Sequence, residues 1–135
     1  MRYLGIDYGD KRVGTAVSDP EGKIAFPLTQ LPATNFRQLV KSIKELVKKE
    51  GVERIVVGLP VTFGGGDSQQ TKAVKEFVKN LKKVIELPTE YENEVLTTRI
   101  VKRSGVRKEH RDQAAAAVIL QAYLDKKSET RNPKS

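Results

Sequence analysis

The sequence predicts an α/β fold: one mixed five-stranded sheet, with three antiparallel strands plus two parallel ones and helices on both faces. Three observations predict it. Two β-rich runs, residues 2–8 and 12–18, flank the tight turn "GDKR". Two helices with one clear apolar face alternate with an unbroken apolar run, "RIVVGLP". A last helical stretch, "RDQAAAAVILQAYLDKK", is apolar nearly all round and must therefore be covered.

The first two runs and a third, "KIAFPLTQL" at 23–31, read as an antiparallel meander. "SDPEGK" supplies the second turn, with Pro20 and Gly22 in turn positions. Pro27 cannot donate to a ladder and places the third strand at a sheet edge. "NFRQLVKSIKELVKKEG" follows as a helix. Its apolar face is Phe36, Leu39, Val40, Ile43, Leu46 and Val47. Asn35 suits its N-cap, with Gln38 at the capping-box position, and Gly51 suits its stop.

"RIVVGLP" has the continuous hydrophobicity of a central parallel strand. The Gly-rich "GLPVTFGGGDSQQ" leads from it to a second helix with Val74, Phe77, Val78 and Leu81 on one face. A fifth strand is expected near "ELPTEYENE", a short helix at "TTRIVKRSG", and the final helix from Arg111 to Lys127. The order is βββαβαβα. Right-handed crossovers then place the first, fourth and fifth strands parallel and side by side. One domain spans residues 1–127. Residues 128–135 lack apolar anchors and are expected to form a disordered basic tail.

Composition narrows the functional classes. The 135 residues are 31% charged and 38% hydrophobic, with no cysteine. A disulfide framework, a thiolate metal site and a cysteine nucleophile are excluded. No apolar run approaches the roughly 20 residues that span a bilayer. The opening "MRYLGIDYG" enters a strand directly, without a signal-peptide pattern. The expectation is a cytoplasmic protein with no membrane partner, as a monomer or weak homodimer. The net charge is +8, of which the last ten residues supply +3. A basic surface favours nucleic acid, and solubility alone explains it equally well.

In open sheets of this kind, ligands gather at the carboxyl ends of the parallel strands. Asp7 ends the first strand, Glu94 the fifth, and Asp112 lies in the first turn of the last helix, at the same end. Three carboxylates in one cleft repel, and divalent cations with oxygen ligands relieve that repulsion. Mg²⁺ or Mn²⁺ suits such acids together with a substrate phosphate. Each acid also has an ordinary reading. Asp7 can bond turn amides. Glu94 can be a surface acid, and Glu92 shares its strand face. Asp112 favours the helix dipole unaided.

The segments "GIDYGDKRVGTAVSD", "VVGLPVTFGGGDS", "NEVLTT" and "RDQAAAAVILQAYLD" resemble, in this order, the YqgF family. The resemblance covers residues 2–125. It implies a ribonuclease H-like fold and a metal-dependent nuclease similar to Holliday-junction resolvases and linked to 5′-end maturation of pre-16S ribosomal RNA. The implied partners are pre-rRNA or branched DNA, and ribosomal particles. By motif, the resemblance makes Asp7, Glu94 and Asp112 the catalytic metal ligands, and it places Lys11 and Arg12 beside the cleft. One motif departs from the family pattern Asp-Glu-Arg-Leu-Thr-Thr or Ser: Asn93 replaces an acid and Val95 an arginine, while Glu94 is kept.

Lys102, Arg103, Arg107, Lys108 and Arg111 lie on a basic segment expected at the cleft rim, where a phosphate backbone would pass. A solvated loop is its ordinary reading. Gly64, Gly65 and Gly66 can cradle a phosphate or form a flexible loop that orders on substrate. His110 reads as a surface residue rather than a general base. Thr97 and Thr98 read as helix caps. A nucleic-acid-binding module without catalysis is the competing class. An actin-like ATPase needs two such domains, and this chain has room for one.

Overall fold

The computed structural model describes residues 1–60, 67–93 and 111–131. Its strands are β1 (Arg2–Tyr8), β2 (Arg12–Ser18), β3 (Ala25–Pro32), β4 (Val52–Leu59) and β5 (Thr89–Asn93). Its helices among the described residues are α1 (Phe36–Glu50), α2 (Gln69–Val84) and α3 (Arg111–Arg131). The strands form one sheet in the order β3-β2-β1-β4-β5. β1 pairs antiparallel with β2 and parallel with β4, and β4 pairs parallel with β5. This is the expected architecture, with β3 and its Pro27 at an edge.

Alternation along the strands feeds two cores. Leu4, Ile6, Val13, Ile55 and Val57 point to one face and pack with Leu39 and Ile43 of α1 and with Val74, Phe77 and Leu81 of α2. Tyr3, Ala16 and Val56 point to the other and pack with Ala116, Ile119, Leu120 and Leu124 of α3. The helix ends obey their caps. Asn35 Oδ1 accepts the Gln38 N–H at 3.2 Å, and Gly51 closes α1 in the left-handed region at φ 67°. At α2, Ser68 and Thr71 bond reciprocally, a capping box built with threonine.

Two boundaries differ from expectation. β3 begins at Ala25 because Asp19 Oδ1 accepts the N–H groups of Lys23 and Ile24, at 2.7 and 2.9 Å, which prolongs the turn. At the other end, α3 runs to Arg131, past Lys127, the expected end of the final helix. Ser, Glu, Thr and Arg add to an existing helix at little cost, so a lack of apolar anchors does not by itself stop one. The short helix expected at "TTRIVKRSG" lies outside the described residues.

Candidate active site

Asp7 and Asp112 are brought together by a glycine between them. Asp7 is the register partner of Gly14 on β2. A β-carbon placed on Gly14 would lie 1.9 Å from the Asp112 carbonyl oxygen and 2.8 Å from the Gln113 nitrogen. The start of α3 therefore rests on the backbone of β2, beside Asp7. The same closeness continues down the sheet, where a β-carbon on Gly5 would meet Leu120 Cβ at 2.8 Å and the Ala116 carbonyl at 3.0 Å. Gly5 and Asp7 are two residues apart on one strand and so share the face that α3 covers. Gln30 of β3 pins the helix start from the side, its Nε2 donating to Gln113 Oε1 at 2.7 Å.

Tyr8, the next residue along β1 from Asp7, is held from the other direction by α2. Gln70 Nε2 donates to the Tyr8 carbonyl at 2.8 Å, and the Tyr8 ring stacks on Phe77 with centroids 4.3 Å apart. Thr71 Oγ1 donates to the Pro60 carbonyl at 2.6 Å, tying the end of β4 to the same helix. The backbone leaving β1 and the backbone leaving β4 are thus fastened to one capped helix end. The β1–β2 turn closes with the Gly9 N–H donating to the Arg12 carbonyl at 3.0 Å.

The charges in this corner are unevenly matched. Arg12 Nε stands 3.0 Å from Asp112 Oδ2, and Arg12 is half exposed. Its N–H does not point along that line, so buried Oδ2 has no hydrogen bond among the described residues. A buried carboxylate oxygen offset only by a half-exposed guanidinium, with no hydrogen bond, is left partly compensated and attracts a further cation. Asp112 is also the acidic residue in the first turn of α3, where the helix dipole favours it. Two carboxylates on adjoining elements, one with an orphaned oxygen, are hard donors that fit Mg²⁺ or Mn²⁺.

The other expected site residues divide three ways. Lys11 is exposed on the turn, its carbonyl accepting the Ala33 N–H. Arg111 is the first residue of α3, beside Asp112. Glu94, the Gly64–Gly66 loop, Lys102, Arg103, Arg107, Lys108, His110, Thr97 and Thr98 lie outside the described residues. Glu92, the alternative to Glu94, is buried on the α3 face, and its Oε2 stands 2.6 Å from Lys126 Nζ. It is committed to an ion pair at the far end of α3 from Asp112.

Glu90, one pleat earlier, accepts a hydrogen bond from the Tyr123 hydroxyl and pairs with Arg54 at 3.3 Å. The Tyr123 hydroxyl, then Arg54, hold the Glu90 carboxyl below its usual 4.5, against the opposing effect of burial. Burial, followed by the bond to Glu90, pushes the Tyr123 hydroxyl above 10. Lys127 Nζ lies 5.6 Å from the ring centres of both Tyr3 and Tyr123.

Three residues that shape the site were missed from sequence: Gly14, Gln70 and Lys126. Only Gly14 carried a usable signal, since an isolated glycine inside a strand marks a close backbone approach.

Comparison with known proteins gives a consistent result. The family model RuvX, described as Holliday junction resolvase, matches residues 1–126. A Chloroflexus aggregans protein, provisionally named a pre-16S rRNA nuclease, is 42% identical over 138 residues, covering 96% of this chain and 95% of its own. A Caldanaerobacter subterraneus protein of the same name is 40% identical over 134 residues, covering 93% of this chain and 96% of its own. Among solved structures, Thermus thermophilus RuvC in complex with a Holliday junction substrate superposes with a TM-score of 0.62 at 15% identity, covering 96% of this chain and 97% of the other. That likeness is one of fold, and it is the ribonuclease H-like arrangement expected from the motifs.

Proposed function

We propose, from the premise that this chain belongs to the RuvX family, that it is a divalent-metal-dependent nuclease that hydrolyses phosphodiester bonds of structured nucleic acid in maturing the 5′ end of pre-16S ribosomal RNA. The observation that carries the reading is the seating of Asp112 on Gly14 beside Asp7, with one Asp112 oxygen lacking a hydrogen bond among the described residues. Asp7 and Asp112 would hold Mg²⁺ or Mn²⁺, with Glu94 as the third ligand. When bound, the cation supplies Lewis acidity toward the phosphodiester and the attacking water, and neutralises developing charge.

This chain's own residues do the rest. Gly14 and Gly5 set the depth of α3, and Gln70 fixes the backbone that presents Asp7. Arg12, half exposed beside Asp112, and Lys11 are positioned to take a phosphate of the strand being cut. The partner is nucleic acid, within pre-ribosomal particles in the cytoplasm. Among the described residues no helix is long and apolar enough to cross a membrane.

Asp7→Asn, Asp112→Asn and Glu94→Gln each remove a charge and almost no volume. Each is expected to abolish Mn²⁺-dependent cleavage while the circular dichroism spectrum stays unchanged. Parental rates in all three variants would refute the shared site. The family description favours a second reading, resolution of branched DNA. Cleavage rates on a four-way DNA junction and on an RNA spanning the pre-16S 5′ end, compared side by side, separate the two.

A further inference from the structure

Among the described residues, net positive charge is concentrated on α1 and α2, away from the candidate active site. α1 exposes Arg37, Lys41, Lys44, Lys48 and Lys49 against two acids, Glu45 and Glu50. α2 exposes Lys72, Lys75, Lys79, Lys82 and Lys83 against one acid, Glu76. The two helices together hold ten cations and three acids, a net +7, while the whole chain has +8. Both pack on the sheet face opposite α3, so these charges look away from Asp7 and Asp112. Among the described residues only one of the ten has an ion-pair partner: Lys75 Nζ lies 2.8 Å from Asp67.

We propose that this face is a second nucleic-acid surface, which takes the phosphate backbone of a double-helical segment distinct from the strand at the acid pair. The proposal rests on the nuclease reading for its substrate class and extends it to a separate site. Helices of 15 and 16 residues give a platform roughly 22–24 Å long. Duplex nucleic acid carries one phosphate charge per about 1.7 Å of its axis, so such a length offers ample phosphates to a net +7 face. Flexible lysines match a phosphate backbone without reading sequence, as a processing enzyme's holding surface requires.

Other occupants fit less well. A second copy of this face would set like charge against like. A groove of about 580 Å³ runs beside α1, with Phe36 and Val84 exposing apolar surface, and buried Val40 lining it, beneath a basic rim. An acidic amphipathic peptide would suit that groove alone. Lys72, Lys75 and Lys79 continue along α2 and do not line it. Charge spread over two whole helices matches a continuous polyanion better than a short insert. Sheet and helix layers separate this face from Asp7, so one straight duplex cannot serve both. The substrate must present two segments, as a folded RNA or a branched DNA does.

The test compares the parent with K41Q/K44Q/K48Q/K79Q/K83Q, all exposed positions, in chelator to prevent cutting. The probe is a fluorescent 24-base-pair RNA duplex titrated from 50 to 200 mM salt. The variant is expected to bind at least tenfold more weakly at low salt, with a salt slope lower by roughly three to five units. The α1 triple and α2 double variants, made separately, are expected to divide that loss between them, and they serve if the combined variant melts early. Unchanged affinity and slope overturn the proposal. So does a polyglutamate chain that binds the parent as tightly as the duplex and is lost in the same variants, which marks a protein-binding face. Mn²⁺-dependent cutting of a short single-stranded oligonucleotide is expected to be unaffected in the variant. Failure of the parent to cut this oligonucleotide, the four-way junction and the pre-16S 5′-end RNA alike defeats the nuclease reading and leaves the binding result standing.

Discussion

Arg12 Nε and Asp112 Oδ2 stand 3.0 Å apart, joining the first residue of β2 to the second residue of α3, without a hydrogen bond along the line between them. The guanidinium thus screens the carboxylate without satisfying it. An ion pair this exposed is worth about 1 kcal/mol or less. Arg12→Gln is therefore expected to tighten Mn²⁺ binding by up to about fivefold, read by calorimetry, because the cation no longer competes with a fixed positive charge. The same variant is expected to bind nucleic acid more weakly, with the salt slope reduced by about one unit. Looser Mn²⁺ binding would mean that Arg12 supports the carboxylate rather than competing for it.

Gly14→Ala tests how tightly α3 is seated. A methyl group 1.9 Å from a backbone oxygen has no flexible neighbour to move, so the whole helix start must lift. A loss of about 3 kcal/mol in urea unfolding is expected, together with loss of cleavage. Gly5→Ala meets side-chain and backbone atoms at 2.8 and 3.0 Å and is expected to cost less. Equal, small losses in both would show that α3 slides freely on the sheet.

The Glu92–Lys126 pair gives an asymmetric prediction. The Glu92 side chain is 6% exposed and that of Lys126 65% exposed. Lys126→Met leaves a buried carboxylate without this cation and is expected to cost about 2 kcal/mol. Glu92→Gln removes the buried charge while Lys126 stays in water, and is expected to cost under about 1 kcal/mol and to spare cleavage. The order of the two losses in thermal unfolding is the measurement. Loss of metal-dependent cutting in Glu92→Gln at full stability would transfer the metal-ligand role from Glu94 to Glu92.

Tyr123→Phe has a defined pH signature. Its hydroxyl is the main cause holding the Glu90 carboxyl below 4.5. A carboxyl with a depressed folded pKa contributes stability that is present above the unfolded pKa and is lost as pH falls through the folded one. The stability difference between parent and variant is therefore expected to be level above about pH 5 and to shrink in more acid solution. Its size is about 1 kcal/mol, since the Glu90 side chain is 43% exposed and water screens the pair. On the alkaline side, the parent's stability falls as pH rises past 10 toward the raised Tyr123 value, and the variant lacks that contribution. A difference independent of pH would assign the tyrosine to packing alone.

Local chemistry made much of this protein legible from sequence. The first two strands, the Asn35 and Gly51 caps and the edge position of Pro27 each follow from one or two residues and their immediate neighbours. Asp7 and Asp112 were placed at the same end because strand direction and crossover handedness leave few alternatives. Contacts between segments distant along the chain were not legible. Glu92 and Lys126 are 34 residues apart, and neither announces the other. Burial of Glu92 runs against its type, so only the assembled α3 face reveals it. The basic face of α1 and α2 was overlooked for a related reason. Its lysines are spaced at helical intervals and form no run, unlike the clustered charges at 102–111.

The oblique course of α3 has a genetic consequence. Its start lies on Gly14, and its later residues reach Glu90 and Glu92 through Tyr123 and Lys126. Asp112 and Lys126 are about 21 Å apart along the helix. A truncation after Asp125 deletes Lys126 and Lys127. Such an allele keeps Asp7, Glu94 and Asp112 intact and still frees the far end of the beam that aims Asp112. In a screen for lost function, truncations after Asp125 are expected beside missense alleles in the acidic residues, and they would be recessive to an intact copy supplied in trans.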